Sequence, residues 1–275
     1  MSFGRRPFVF GTVFPVSGRN ARLEAGEDLA RGLLVRGVMK PRRPFAIITL
    51  VLGLVPLFAF GDASKAADPG AALAEKLLAA MGGRDAWSRV TFVHVEALHD
   101  DLDLPEPFVN RIWNDLTEPR VRFWAGNEQF TSGRKIAAGA GMREAGPQAG
   151  TPLTAEQYEQ DRGWWEGNVY RTLHRMAKRD AGLAYRAASP ARLEVLKSDG
   201  TVLSWFVLNQ KGEPMLFGSG RDTRGTAFGP LASSGSVRYP KWGARADGSW
   251  RYEIRRFEAG GTTPPGTFDT KVDAR

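Results

Sequence analysis

The stretch that decides the fold is residues 192–217, RLEVLKSDGTVLSWFVLNQKGEPMLF. It contains three short apolar runs, which are separated by the turn signals Asp199-Gly200 and Lys211-Gly212. Short apolar runs joined by such turns are typical of antiparallel hairpins. We therefore predict a β-meander in this part of the chain.

The same pattern extends outward on both sides of this stretch. A helix interrupts it at residues 154–178, where Thr154 and Gln157 form a capping-box pair and the apolar residues follow at helical spacing. A meander this long must curl, and the helix needs an apolar surface to cover. The predicted class is α+β and mostly β, a curved antiparallel sheet (half-barrel) with helices on its concave face. Further strands are predicted at 90–98, 108–116, 120–124, 130–138, 237–239 and 250–257.

A first helix is predicted immediately before the strands. Asp68 and Pro69 supply an N-cap and a first-turn proline, and Gly82-Gly83 supplies the left-handed stop. The run AEKLLAAMGGRDAWSRV, residues 74–90, resembles the opening of periplasmic proteins of the LolA/LolB-like lipoprotein-carrier superfamily. The resemblance implies a half-barrel with an apolar cavity that shelters acyl chains. It implies no functional residue by position, and the polar residues 139–152 depart from what it leads one to expect.

A leader precedes this domain. A basic stretch, residues 39–43, is followed by the apolar run Phe45 to Phe60 and by small residues up to Ala66, which is the order of a secretory signal. We predict cleavage after Ala66. An uncleaved anchor at 45–60 is the alternative, although the run is shorter than the roughly 20 residues of a membrane span. Arg42-Arg43 partly matches the twin-arginine export pattern, with general secretion as the default route.

The remaining domain boundaries follow from this leader. A signal normally opens a chain, so we interpret Met39 as the initiator and residues 1–38 as a disordered upstream mis-start. Residues 39–66 are the predicted signal peptide and 67–259 a single β-rich domain. Residues 260–275, rich in Gly, Thr and Pro, are predicted to form a flexible tail.

Composition excludes several classes of protein. The chain has no cysteine, which rules out disulfides, thiolate zinc sites and lipid attachment at cysteine. Its formal charge of +8 is concentrated in residues 1–66, where ten Lys or Arg face four Asp or Glu, so the rest carries only +2. No basic stripe remains for nucleic acid, and we expect membrane contact through the leader only.

Aromatic residues supply the first candidate ligand site. Large rigid rings suit a cavity for an apolar ligand, although any one of them could equally fill the core. Five tryptophans fall on elements expected to line or cover the concave face: Trp113, Trp124, Trp164, Trp165 and Trp205.

A polar cluster supplies the second candidate ligand site. Tyr170 and His174 are four apart on the predicted helix, with Arg171 and Arg175 beside them. Such a cluster could meet an acidic head group at a cavity mouth, or it could simply be solvated. We include Tyr170 and His174 among the predicted ligand-binding residues.

Signals for metal or catalysis are weak. Strand alternation places His94 and His99 on opposite faces, so we predict no metal site and no other cofactor. We find no nucleophile elbow, zinc-protease motif or P-loop. The expected function is a non-catalytic exported protein that holds a lipid or acyl ligand. The alternatives are a periplasmic hydrolase that uses dispersed residues, such as His174 with Asp161 or Glu166, and a structural partner of the cell envelope.

Overall fold

The computed structural model describes residues 68–137, 139–220 and 222–269. The predictions for the leader and for residues 1–38 therefore lie outside the described residues. The helices are α1 (Pro69–Ala80), α2 (Arg84–Arg89), α3 (Ala155–Glu166) and α4 (Val169–Ala177). The strands are β1 (Phe92–Asp101), β2 (Phe108–Asp115), β3 (Val121–Gly126), β4 (Thr131–Ala137), β5 (Ala140–Ala145), β6 (Leu183–Ser189), β7 (Arg192–Lys197), β8 (Val202–Leu208), β9 (Pro214–Ser219), β10 (Thr226–Phe228), β11 (Leu231–Ser234), β12 (Val237–Pro240), β13 (Trp242–Arg245) and β14 (Trp250–Gly260).

The sheet is a single antiparallel array of twelve strands, in the order β5-β4-β3-β2-β1-β14-β13-β10-β9-β8-β7-β6, and β11 and β12 form a separate hairpin. It is curved and does not close into a barrel, which confirms the predicted fold class. Hairpins build each half, whereas the centre joins strands that are far apart in sequence: Phe92 of β1 pairs with Gly260 of β14. The predicted meander is confirmed at β7, β8 and β9, which pair in that order.

The helices pack on one face of this sheet, which we call the inner face. The core on this face contains Leu77 in the last turn of α1, Met81 directly after it, Leu173 and Met176 of α4, and Phe206 of β8. None of these side chains is exposed to solvent. Burial of these side chains provides the main apolar stabilisation of the fold. The opposite side of the sheet is the outer face.

The start of the domain forms as predicted. The Asp68 side chain accepts a hydrogen bond from the Gly70 backbone amide, and Pro69 occupies the first turn of α1. Gly82 and Gly83 end the helix with φ of 112° and 99°. A Cβ at Gly82 would lie 2.3 Å from the Ser236 carbonyl oxygen, so only glycine fits there. The short helix α2 follows directly after these glycines.

The helix predicted over residues 154–178 is wrong as a single element. The capping box at Thr154 and Gln157 forms, but α3 ends at Glu166 and α4 begins at Val169. Asn168 separates the two helices because its side chain accepts hydrogen bonds from the Tyr170 and Arg171 amides, which caps the second one. The break lets each helix follow a different part of the curved sheet.

Several elements were not anticipated. The polar residues 139–152 contain β5, and Leu153 and Gly150 bond back to that strand, so this segment covers one edge of the sheet. Where composition predicted a flexible tail from Gly260, β14 runs to that residue. Residues 261–269 return to the outer face, where Phe268 is buried against Phe92 with ring centroids 6.5 Å apart.

Candidate functional site

Strand alternation divides the five predicted tryptophans between the two faces. Trp113 pairs across the sheet with His94, whereas its neighbours Ile112 and Asn114 pair with the inner-face residues Val95 and Val93. Trp113 therefore points outward. Trp124, which lies opposite Arg111 on the same side, also points outward. The expectation that both rings line the concave face is corrected, because each alternates along its strand with residues that face the helices.

Trp205 is also an outer-face residue. Its neighbour Phe206 contacts Phe217 in the core, whereas Trp205 lies opposite Gly218. Gly218 and Gly225 lie against the buried Trp205 ring. A Cβ atom added to either glycine would come within 2.4 or 2.5 Å of it, respectively. Its indole nitrogen donates to the Asp222 carbonyl at 2.7 Å. Trp205 is thus held in a glycine-lined slot that leaves no space for a ligand.

The helix residues of the prediction do lie over the inner face. Trp164 meets Phe123 edge to face at 4.8 Å. The Trp165 indole donates to the Asp115 carbonyl at 2.5 Å and is buried. Tyr170 stacks on Trp87 with centroids 6.0 Å apart. Burial, then the neighbouring Tyr252 and Tyr239, raise the pKa of Tyr170, so its phenol stays protonated.

His174 is a buried residue of α4. Its Nδ1 lies 3.1 Å from the Trp87 carbonyl oxygen, and burial lowers its pKa. Asp161 is instead paired with Arg134, at 2.7 and 2.9 Å from Nε and Nη2. The His174–Asp161 pair considered for a hydrolase is therefore not formed.

His94 and His99 lie on opposite faces, as predicted. His94 stacks on Trp113 at 4.8 Å and contacts Glu258 with its Nδ1 at 3.0 Å. His99 stacks on Phe108 and Tyr252 on the inner face. The sheet separates the two imidazoles, so they cannot share a metal ion.

The surroundings of His99 were missed by sequence reasoning. Aromatic side chains from β1, β2 and β14 form a continuous row on the inner face, and Phe130 extends it from the turn before β4. Within this row, His99 lies 5.3 Å from Phe108 and 5.4 Å from Tyr252, and Trp250 lies 5.8 Å from Tyr252. The signal was present, because Trp250 and Tyr252 alternate along one strand and pair with Asp101 and His99.

The aromatic row, defined as His99, Phe108, Phe130, Trp250 and Tyr252, is only partly covered. Phe108 is buried, but the other four members keep partial contact with solvent. Burial lowers the pKa of His99 to about 4, so its imidazole is neutral at pH 7. The row therefore presents an uncharged aromatic surface on the inner face.

A line of β2 residues leads inward from this row. Asn110, Ile112 and Asn114 share the inner face with Phe108. Ile112 is partly exposed, so the helices do not fully cover the strand here. Asn110 lies 3.4 Å from the His99 Nε2, whereas both amide atoms of Asn114 are buried without a hydrogen-bond partner among the described residues. We call this line, together with the aromatic row, the inner groove.

Arg171 lies over Trp165, the residue bonded to Asp115 at the far end of this groove. Its guanidinium carbon is 3.8 Å from the Trp165 ring centroid. Burial, then Arg175, lower the pKa of Arg171 to about 10, which leaves it charged at pH 7. Its Nε is buried without a hydrogen-bond partner among the described residues.

Within the described part of the chain, none of the helices has the length and apolar character needed to cross a membrane.

Comparisons with known proteins give distant structural likenesses. No family model matches the chain, and no curated protein does. A DUF1329 family protein from Desulfovibrio piger is similar over 74% of this chain and 98% of its own, at 8% identity and a TM-score of 0.31. An outer membrane lipoprotein-sorting protein domain from Vibrio parahaemolyticus is similar over 73% and 96%, at 8% identity and a TM-score of 0.34. Likenesses this distant assign neither a ligand nor an activity.

Proposed function

We propose that this protein is a non-catalytic carrier or binding protein that holds a lipid or acyl chain in its inner groove. The observation that carries the proposal is the aromatic row, because partly exposed rings on the inner face of a curved sheet form an apolar binding surface. The resemblance of residues 74–90 to lipoprotein carriers points the same way.

The length of the groove suits a single acyl chain. From Phe108 to Asn114 the strand spans about 20 Å. The hydrocarbon core of a bilayer is about 30 Å thick, so one chain in one leaflet spans about 15 Å. A lipid chain laid along β2 would therefore contact the aromatic row at one end and approach Asn114 at the other.

Probe binding tests this assignment with a matched pair of tryptophans. Trp250 belongs to the aromatic row, whereas Trp242 lies on the outer face and is 41% exposed. We expect N-phenyl-1-naphthylamine, an apolar fluorescent probe, to bind the wild-type protein and to be displaced by oleate. Trp250→Ala should weaken probe binding roughly fivefold or more, because it removes a large apolar contact, whereas Trp242→Ala should not.

Two results would overturn the proposal. One is a wild-type protein that binds neither the probe nor oleate. The other is an equal effect of the two substitutions, which would place the binding surface elsewhere.

We further propose that the protein acts outside the cytoplasm, in the periplasm or secreted, after cleavage of the signal peptide at residues 39–66. The support is the order of basic, apolar and small residues in that segment. N-terminal sequencing of the exported protein should begin at Ala67. Recovery of an intact residue 45–60 segment in the membrane fraction would instead favour the anchor.

A further inference from the structure

We propose that the ligand carries an anionic head, and that Arg171 and Asn114 bind this head at the end of the inner groove away from the aromatic row. This inference rests on the proposed function. It specifies the class of ligand: a single-chain amphiphile with a carboxylate or phosphate, rather than a neutral ester or alcohol.

Arg171 is charged, and the carboxylates near it already form ion pairs with other basic residues. The carboxylates that act on its charge are Glu166, Asp180 and Asp115. Each of them pairs with another cation: Glu166 with Lys197, Asp180 with Arg175, and Asp115 with Arg120. Among the described residues, the Arg171 guanidinium lies on the Trp165 ring and donates a weak hydrogen bond from Nη1 to the Glu166 carbonyl oxygen at 3.4 Å. A partly buried guanidinium whose nearby carboxylates pair with other cations is stabilised when a ligand anion binds to it.

Asn114 adds a second unsatisfied group. The side chain is 1% exposed, and neither Nδ2 nor Oδ1 has a hydrogen-bond partner within residues 68–137, 139–220 and 222–269. A buried amide without hydrogen-bond partners destabilises the fold, so such groups in native proteins have an explanation. Because Asn114 points to the inner face beside Ile112, its Nδ2 can donate to a head group that enters along β2.

Trp165 brings these two groups together. Its indole nitrogen bonds to the carbonyl of Asp115, the residue after Asn114, while the Arg171 guanidinium lies on its ring. Trp165 therefore links Arg171, which lies on its ring, to the end of β2, the strand that carries Asn114. Trp165 is itself buried and fixed by its hydrogen bond, so it holds Arg171 in place.

The N-terminus of α4 also favours a ligand head with a negative charge. Arg171 occupies the first turn of α4, which contains no acidic residue. A cation at a helix N-terminus opposes the helix dipole, whereas an anion there is stabilised by both the dipole and the guanidinium. A bound anionic head would thus relieve an unfavourable arrangement in the ligand-free protein.

A pair of probes that differ only in charge tests this inference. The probes are 11-(dansylamino)undecanoic acid and its methyl ester, and binding is measured by dansyl fluorescence at pH 7. Arg171→Met keeps an apolar stem on Trp165 but removes the charge. We expect it to weaken binding of the acid roughly tenfold or more, with little change for the ester. Asn114→Leu should also discriminate against the acid.

Arg175→Met is the matched control. Arg175 lies on the same helix but is paired with Asp180 at 2.7 Å, so its loss should leave binding of the acid unchanged. Displacement of the acid probe by oleate and by 1-oleoyl lysophosphatidic acid distinguishes the two sources of negative charge. Circular dichroism of each variant shows whether its fold is retained.

The outcomes separate the two proposals. If the wild-type protein binds acid and ester equally and Arg171→Met changes neither, the head-group inference fails while the carrier function stands. An effect of Arg175→Met equal to that of Arg171→Met also overturns the inference, since it would reflect only the general charge of the helix. If neither probe binds, both proposals fail.

Discussion

At the scale of single residues, His99 makes the groove sensitive to acid. Burial against Phe108 and Tyr252 lowers its pKa from 6.5 to about 4. The folded protein therefore binds a proton less readily than the unfolded chain. The stability that this provides is fully present above about pH 6.5 and is lost as the pH falls from there towards 4, below which both states are protonated.

Substitution of this residue should change the pH dependence of unfolding. We expect His99 to account for a loss of about 1–3 kcal/mol in the free energy of unfolding between pH 6.5 and 4, the lower values applying because the ring keeps some solvent contact. Denaturant unfolding of the wild-type protein and of His99→Phe across this range measures it. The Phe variant should lose less stability on acidification. Parallel curves for the two proteins would contradict the assignment.

At the scale of elements, local signals predicted the hairpins because the turn residues and the apolar runs agree. Asp199-Gly200 and Lys211-Gly212 fix where β7, β8 and β9 reverse, and Asp68 fixes where α1 begins. The break before α4 was missed because the apolar spacing continues through it. What decides the break is the Asn168 cap, and a single polar residue within a helical pattern does not reveal a cap.

The candidate site was predicted less well. A sequence that predicts a strand does not show which face of that strand will meet the helices. Trp113 and Trp124 alternate with inner-face residues, but the sequence alone does not show which alternate set meets the helices. The aromatic surroundings of His99 were missed because Trp250 and Tyr252 come from β14, which is distant in sequence from β1. The unsatisfied state of Asn114 and Arg171 is visible only after folding.

At the scale of the whole molecule, the two halves of the sheet are unequally supported. The half formed by β7 and β8 contributes Leu193, Val195 and Phe206 to the main core, all without solvent exposure. The β3 and β4 half buries Val121 and Ile136, but it is covered mainly by α3, in which only Asp161 and Trp165 are buried. Fewer buried apolar contacts mean a smaller free energy of local opening.

Hydrogen exchange followed by mass spectrometry should reveal this difference. We expect amides of residues 121–137 to exchange through openings of lower free energy than amides of residues 192–208, because α3 can separate from β4 while the main core stays intact. Peptides from the two regions within one sample serve as each other's control. Equal protection in both regions would show that the sheet opens only as a unit.

The central pairing of β1 with β14 also constrains how the protein is made. The strand that emerges first from the ribosome waits for the one that emerges after all the others, since the partner of Phe92 is Gly260. Until residue 260 has been synthesised, the hairpins on either side can form but cannot join. The two halves of the sheet therefore remain unjoined in nascent chains until residue 260 has been made.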